Sequence, residues 1–152
     1  MAAPERTEHV LVISPGTNLP ALLASALADP GAVTHIVILA EGPIVTDRTG
    51  ETTQERAAKV AVRNGITRAH DLAVSLGIPF EHRTLDPVAI DTVCTAIRDV
   101  AVQHPGARFS FVVAGGSAQS ALGVFRMAAW LSGDVYAASQ KAILTRLTVP
   151  GM

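Results

Sequence analysis

Two short stretches hold the residues whose types and spacing could do chemistry. One is Ser14-Pro15-Gly16-Thr17-Asn18, which follows the apolar run His9 to Ser14. The other is Ala114-Gly115-Gly116-Ser117-Ala118-Gln119-Ser120, which follows Phe109, Phe111, Val112 and Val113 and runs on into residues at helical spacing, Ala121, Leu122, Val124, Phe125 and Ala128. A strand, a tight glycine turn and a helix start leave backbone N–H groups pointing outward at the positive end of a helix, with no Cβ in the way. Such a junction can hold a phosphate or another anion. Ser14, Thr17 and Asn18 could orient a polar ligand beside it. Each of these residues also has a plainer role. The glycine pair makes a packing turn, Ser117 is a helix N-cap, and Thr17 and Asn18 are turn and cap residues. Gln119 and Ser120 fall in the first helical turn, where a side chain faces either the cleft or solvent.

Other chemistries find little support. Histidines stand at positions 9, 35, 70, 82 and 104 with no i,i+4 pair, which argues against a histidine metal site. No metal or cofactor is expected. The chain lacks a Gly-x-Ser-x-Gly elbow, a Gly-x-Gly-x-x-Gly run after its first strand and a Walker-type lysine. Glu41 and Arg48 flank or occupy the loop after the second strand. Arg48 is the nearest candidate cation for a pocket rim, although a surface charge is its commoner role. Arg126 lies about two helical turns beyond the glycine pair and is expected to be solvated or to face a second copy. The single Cys94 rules out an intrachain disulfide and is expected as a buried free thiol, in keeping with a reducing cytoplasm.

With formal net charge −1, one Trp, one Tyr and four Phe, the chain offers neither a cationic face nor an aromatic platform for long nucleic acid. The start, MAAPERTEH, has no basic segment leading into an apolar core, and no apolar run reaches membrane-spanning length. A cytoplasmic protein is the expectation.

The elements that must position these stretches follow from the apolar pattern. A chain of 152 residues, 49% hydrophobic, suits one domain over residues 9–152 after a polar, frayed segment 1–8. HVLVIS (9–14) and THIVILA (34–40) are continuous apolar runs, the pattern of strands covered on both faces. Helical spacing occupies 19–28, and again 51–76, where Asn64-Gly65 leaves open whether there is one helix or two. FEHRTL (80–85) alternates less cleanly and reads as a strand nearer an edge. Asp86-Pro87 is a helix start, N-cap then Pro, for a helix over 88–102. DVYAA (134–138) and ILTRLTV (143–149) fit a terminal hairpin, which would make the last strand antiparallel. The predicted fold class is therefore α/β: a Rossmann-like, doubly wound, mostly parallel sheet of about six strands with helices on both faces. Ligands of such folds sit at the carboxyl ends of the strands, where both polar stretches fall.

Together the two loops resemble the CRISPR-associated Rossmann fold (CARF) family, whose members sense cyclic oligoadenylates. That family has a Ser/Thr-Pro-Gly-Thr type loop after its first strand, here Ser14-Pro15-Gly16-Thr17-Asn18. It has a Thr-Gly-Gly-Thr-Lys type turn after its fourth, here Ala114-Gly115-Gly116-Ser117-Ala118. The likeness in element order covers roughly residues 9 to 138, including ALGVFRMAAWLSGDVYAA. Ala114 and Ala118 depart from the family's Thr and Lys. The missing Lys removes a cation that would contact phosphates or a charged transition state.

The resemblance implies a homodimer with a two-fold pocket built from Ser14, Pro15, Gly16, Thr17 and Asn18 together with Gly115, Gly116, Ser117, Ala118, Gln119 and Ser120. The ring it would hold is a cyclic tetra- or hexaadenylate of type III CRISPR signalling. The chain ends at Met152, so it resembles either a sensor acting through a separate effector or a metal-independent ring nuclease that yields 2′,3′-cyclic phosphates. For cleavage, Ser14, Thr17 or Asn18 would orient the attacking 2′-hydroxyl. The alternative is an unrelated Rossmann-like protein that binds a mononucleotide or a sugar phosphate.

Overall fold

The computed structural model describes residues 7–15, 19–26, 33–42, 49–115, 117–138 and 144–147. Strand β1 (His9–Ser14) leads to helix α1 (Leu19–Ala26), strand β2 (His35–Glu41), helix α2 (Thr53–Ser75), strand β3 (Phe80–Leu85) and helix α3 (Ile90–Gln103). Strand β4 (Arg108–Val113), helix α4 (Ala118–Leu131), strand β5 (Asp134–Ala138) and strand β6 (Leu144–Leu147) complete the described elements. The six strands form one sheet in the order β3-β2-β1-β4-β5-β6. All pairs are parallel except β5 with β6, where Tyr136 lies opposite Arg146. The predicted α/β class and the antiparallel last strand are what the chain adopts.

The apolar runs are buried as their composition requires. Val10, Val12, Val37, Phe109 and Phe111 pack on one face of the sheet with Val93, Ile97, Val124 and Met127 of α3 and α4. Leu11, Ile13, Ile36, Ile38 and Val112 pack on the other with Leu19, Leu23, Ala69 and Ala73 of α1 and α2. Alternate residues of each central strand thus feed opposite cores, as a strand period of two dictates. β3 lies at the edge of the sheet, and of its six residues only Leu85 is fully buried. Cys94 is buried, and desolvation pushes its thiol above the ordinary range.

One question the sequence leaves open is answered, and two boundaries differ from expectation. α2 runs unbroken through Asn64-Gly65, because Gly65 is buried against α1, with Leu19 and Pro20 beside it. Tertiary packing outweighs the roughly 1 kcal/mol that glycine costs a helix. α3 begins at Ile90 rather than at Val88. Asp86-Pro87 is a cis turn, and the helix start is organised by Thr92, whose hydroxyl accepts from Ala89 N–H at 3.0 Å and lies 2.8 Å from the Pro87 carbonyl. β2 extends to Glu41, one residue beyond the predicted end, through its pairing with Leu85 of β3.

The helix pairs on the two faces differ in closeness. A Cβ placed on Gly65 would sit 3.5 Å from Pro20 Cδ, an ordinary contact. On Gly123 it would sit 2.6 Å from Val93 Cβ, so α3 and α4 meet at a spot where only glycine fits.

Candidate functional site at the carboxyl edge of the sheet

β1 and β4 pair in register, Ser14 opposite Val113, so the two polar stretches leave the sheet side by side. Ser14 is 2% exposed, and its hydroxyl donates to the Gly115 carbonyl at 2.5 Å. Its own carbonyl accepts from Ala114 N–H at 3.0 Å and Gly115 N–H at 3.1 Å. Ser14 is therefore a clasp that fixes where the glycine turn leaves the sheet. Its proton is thereby committed, and toward a ligand the hydroxyl can act as an acceptor. Pro15 is half-buried beyond it. Gly16, Thr17, Asn18, Arg48 and Gly116 lie outside the described residues.

Ser117 is the N-cap of α4. Its side chain accepts from Ser120 N–H at 3.2 Å, and the helical ladder opens with Ala121 N–H on the Ser117 carbonyl at 3.2 Å. The amides of Ala118 and Gln119 precede that ladder and have no helical carbonyl to meet. Both side chains are exposed, whereas Ser120 is buried.

Glu41 is the residue whose role sequence spacing did not reveal. β2 and β4 flank β1 in the sheet, and the Glu41 carboxylate reaches over the end of β1 to the start of α4. There Oε2 accepts from Ser117 N–H at 2.6 Å and from the Ser120 hydroxyl at 3.1 Å. A carboxylate on the amide and hydroxyl of a helix start makes charge-assisted hydrogen bonds at the positive end of the dipole. The junction is an anion site, and the protein's own side chain occupies it. A residue pair 76 positions apart leaves no local signal; the acidic end of a strand beside a predicted cradle was the only clue.

Arg126 is exposed on α4. Along β3 and α3 runs an open groove of about 470 Å³ lined by Asp86, Asp91 and Asp99 with Arg83, too acidic to suit a phosphate. Arg83 there is engaged with Glu81 at 3.1 Å and Gln103 at 3.1 Å.

The fold places the chain beside two ligand-bound proteins. Can2 from Sulfobacillus thermosulfidooxidans, solved in complex with cyclic tetra-adenylate, is similar with a TM-score of 0.58 and 14% identity over 94% of this chain. Enterococcus italicus Csm6, solved bound to cyclic hexa-2′-fluoro-hexa-dAMP, is similar with a TM-score of 0.59 and 11% identity over 95% of this chain. The chain spans 38% and 37% of their lengths. At these identities the likeness is one of fold. No family model matches the chain, and no curated protein matches it in sequence. Among the described residues, no helix is long and apolar enough to cross a membrane.

Proposed function

We propose that this chain is a CARF-type domain that binds a cyclic tetra- or hexaadenylate of type III CRISPR signalling at the carboxyl edge of its sheet. The observation that carries the reading is the Glu41 carboxylate on Ser117 N–H and the Ser120 hydroxyl, an internal anion where a ligand phosphate would sit. The rings bound to the two similar folds supply the ligand class. Binding proceeds by exchange: a phosphate replaces the carboxylate, and the displaced Glu41 carries the event into the end of β2. Ser14 and Pro15, which leave the sheet beside this turn, belong to the second stretch assigned to the same ligand.

A homodimer, with an even-numbered ring lying across its two-fold axis, suits the single cradle per chain. Leu122 and Trp130 of α4 are 54% and 64% exposed, and this apolar surface on the helix that starts at the cradle is the proposed contact between copies. Trp130→Glu is expected to convert a dimer to a monomer in sedimentation analysis. A monomeric wild-type protein would remove the two-fold pocket.

The sensor reading works through a separate effector. The ring-nuclease reading has Ser14, Thr17 or Asn18 orient the attacking 2′-hydroxyl, and it assigns no side chain as general base. Incubation with cyclic tri-, tetra- and hexaadenylate, followed by calorimetry and chromatography, separates these readings. Linear products establish the nuclease, and tight binding without products establishes the sensor. Binding of a mononucleotide or sugar phosphate but of no ring overturns the family reading.

A further inference from the structure

The opposite, amino edge of the sheet gathers a second set of chemical groups. Glu8 stands just before β1, His35 opens β2, and His104 caps the carboxyl end of α3. One ligand atom from each, a carboxylate oxygen and two imidazole nitrogens, lie within 4.8 Å of one another. The two imidazole rings meet with centroids 4.4 Å apart, and His104 Nδ1 lies 2.7 Å from Glu8 Oε2.

The main chain holds all three groups firmly. Glu8 O accepts from Arg108 N–H at 2.8 Å, Thr34 N–H donates to His9 O at 2.9 Å, and His104 N–H donates to Val100 O at 3.1 Å. The Thr34 hydroxyl also orients the His35 ring. The Thr34 hydroxyl accepts from His9 N–H at 2.8 Å and has the His9 carbonyl at 3.1 Å for its own proton. The same hydroxyl lies 3.0 Å from His35 Nδ1; in the tautomer that carries its proton on Nδ1, the ring donates to Thr34 and offers the Nε2 lone pair to a metal. A metal-binding histidine is oriented in this way, by a hydrogen bond from its other nitrogen.

We propose that Glu8, His35 and His104 form a site for a divalent transition metal of the zinc class. Two imidazoles and one carboxylate are a three-ligand set that Zn²⁺ accepts in tetrahedral geometry, with a fourth position for water. Ligands about 2.0–2.1 Å from zinc stand roughly 3.3 Å apart, so the His104–Glu8 pair, now 2.7 Å apart, opens slightly on binding while separations of up to 4.8 Å close. A cavity of about 210 Å³ lined by His35, Pro79, Phe80, Glu81 and His104 adjoins the two imidazoles. Spacing along the sequence hid the set because its members come from three elements, and the parallel sheet alone brings them together. The site is independent of the carboxyl-edge reading and stands or falls without it.

The test uses the full chain freed of metal by a chelator, titrated with Zn²⁺ by calorimetry and with Co²⁺ by visible absorption. One equivalent of metal per chain and tetrahedral Co²⁺ bands are expected. His35→Gln and His104→Gln each lower the affinity on the order of 100-fold or more, beyond the loss on removing outer-shell partners. Glu8→Gln weakens binding by at least about tenfold on the same scale. In wild-type protein, Zn²⁺ shifts the ring resonances of His35 and His104 and leaves those of His70 and His82 unmoved, a readout that does not depend on variants folding. Absence of binding, unchanged affinity in both histidine variants, or shifts at His70 or His82 instead overturns the proposal.

Discussion

The two edges of this sheet are organised by different means. At the carboxyl edge a helix start offers amides, and a glutamate from a neighbouring strand fills them, so the site is closed by the protein's own charge. At the amino edge two imidazoles and a carboxylate converge from strand starts and a helix end, held by backbone bonds at each base. The first edge depends on where α4 lies, because its anion partners are Ser117 and Ser120. The second depends on β1, β2 and the end of α3 and makes no use of α4. One fold can therefore carry an anion-responsive edge and a cation-holding edge that respond to separate perturbations.

That separation can be broken or sharpened by substitution. The largest effect is expected from Gly123→Ala, which forces a Cβ against Val93. Overpacking of this kind costs about 1–3 kcal/mol, read from the denaturation midpoint, and it displaces α4 so that oligoadenylate binding falls while Zn²⁺ affinity holds. A parallel loss of both would show that the edges are mechanically coupled. Ser117→Ala removes the cap of α4, costs about 1 kcal/mol and again weakens the carboxyl edge alone. Glu41→Gln keeps the hydrogen-bonding shape but removes the competing charge. Stability falls by less than about 1 kcal/mol, while calorimetry should show tighter binding of cyclic oligoadenylate. Weaker binding would mean that the carboxylate assists the ligand rather than competing with it. The smallest effect belongs to Gly65→Ala, whose Cβ has room beside Pro20. It should raise stability by about 0.5–1 kcal/mol through helix propensity and leave both edges unchanged, which makes it the control for the other three.

What the sequence disclosed and what it withheld divide along the same physical line. HVLVIS and FSFVV announced central strands because residues buried on both faces must be apolar throughout, and the cap at Ser117 followed from a serine after a glycine pair. The start of α3 escaped because Asp86-Pro87 has the chemistry of a helix start, yet the chain turns there and Thr92 sets the real one. The unbroken α2 escaped because the burial of Gly65 against α1 is a tertiary fact. Glu41 and the Glu8–His35–His104 set escaped for the same reason on a larger scale. Their partners are 76 and up to 96 residues away, and only the strand order makes them neighbours.

The outer strands set the direction in which copies of this molecule can associate. β3 presents Glu81, His82 and Arg83 along one rim, and beside β6 on the other Arg146 pairs with Asp134 at 2.8 Å. Charged rims resist the strand-to-strand stacking that would lengthen a sheet into a ribbon. Growth by β-addition is thereby discouraged at both rims among the described residues, which is compatible with the proposed pairing of copies through the helical surface that carries Leu122 and Trp130.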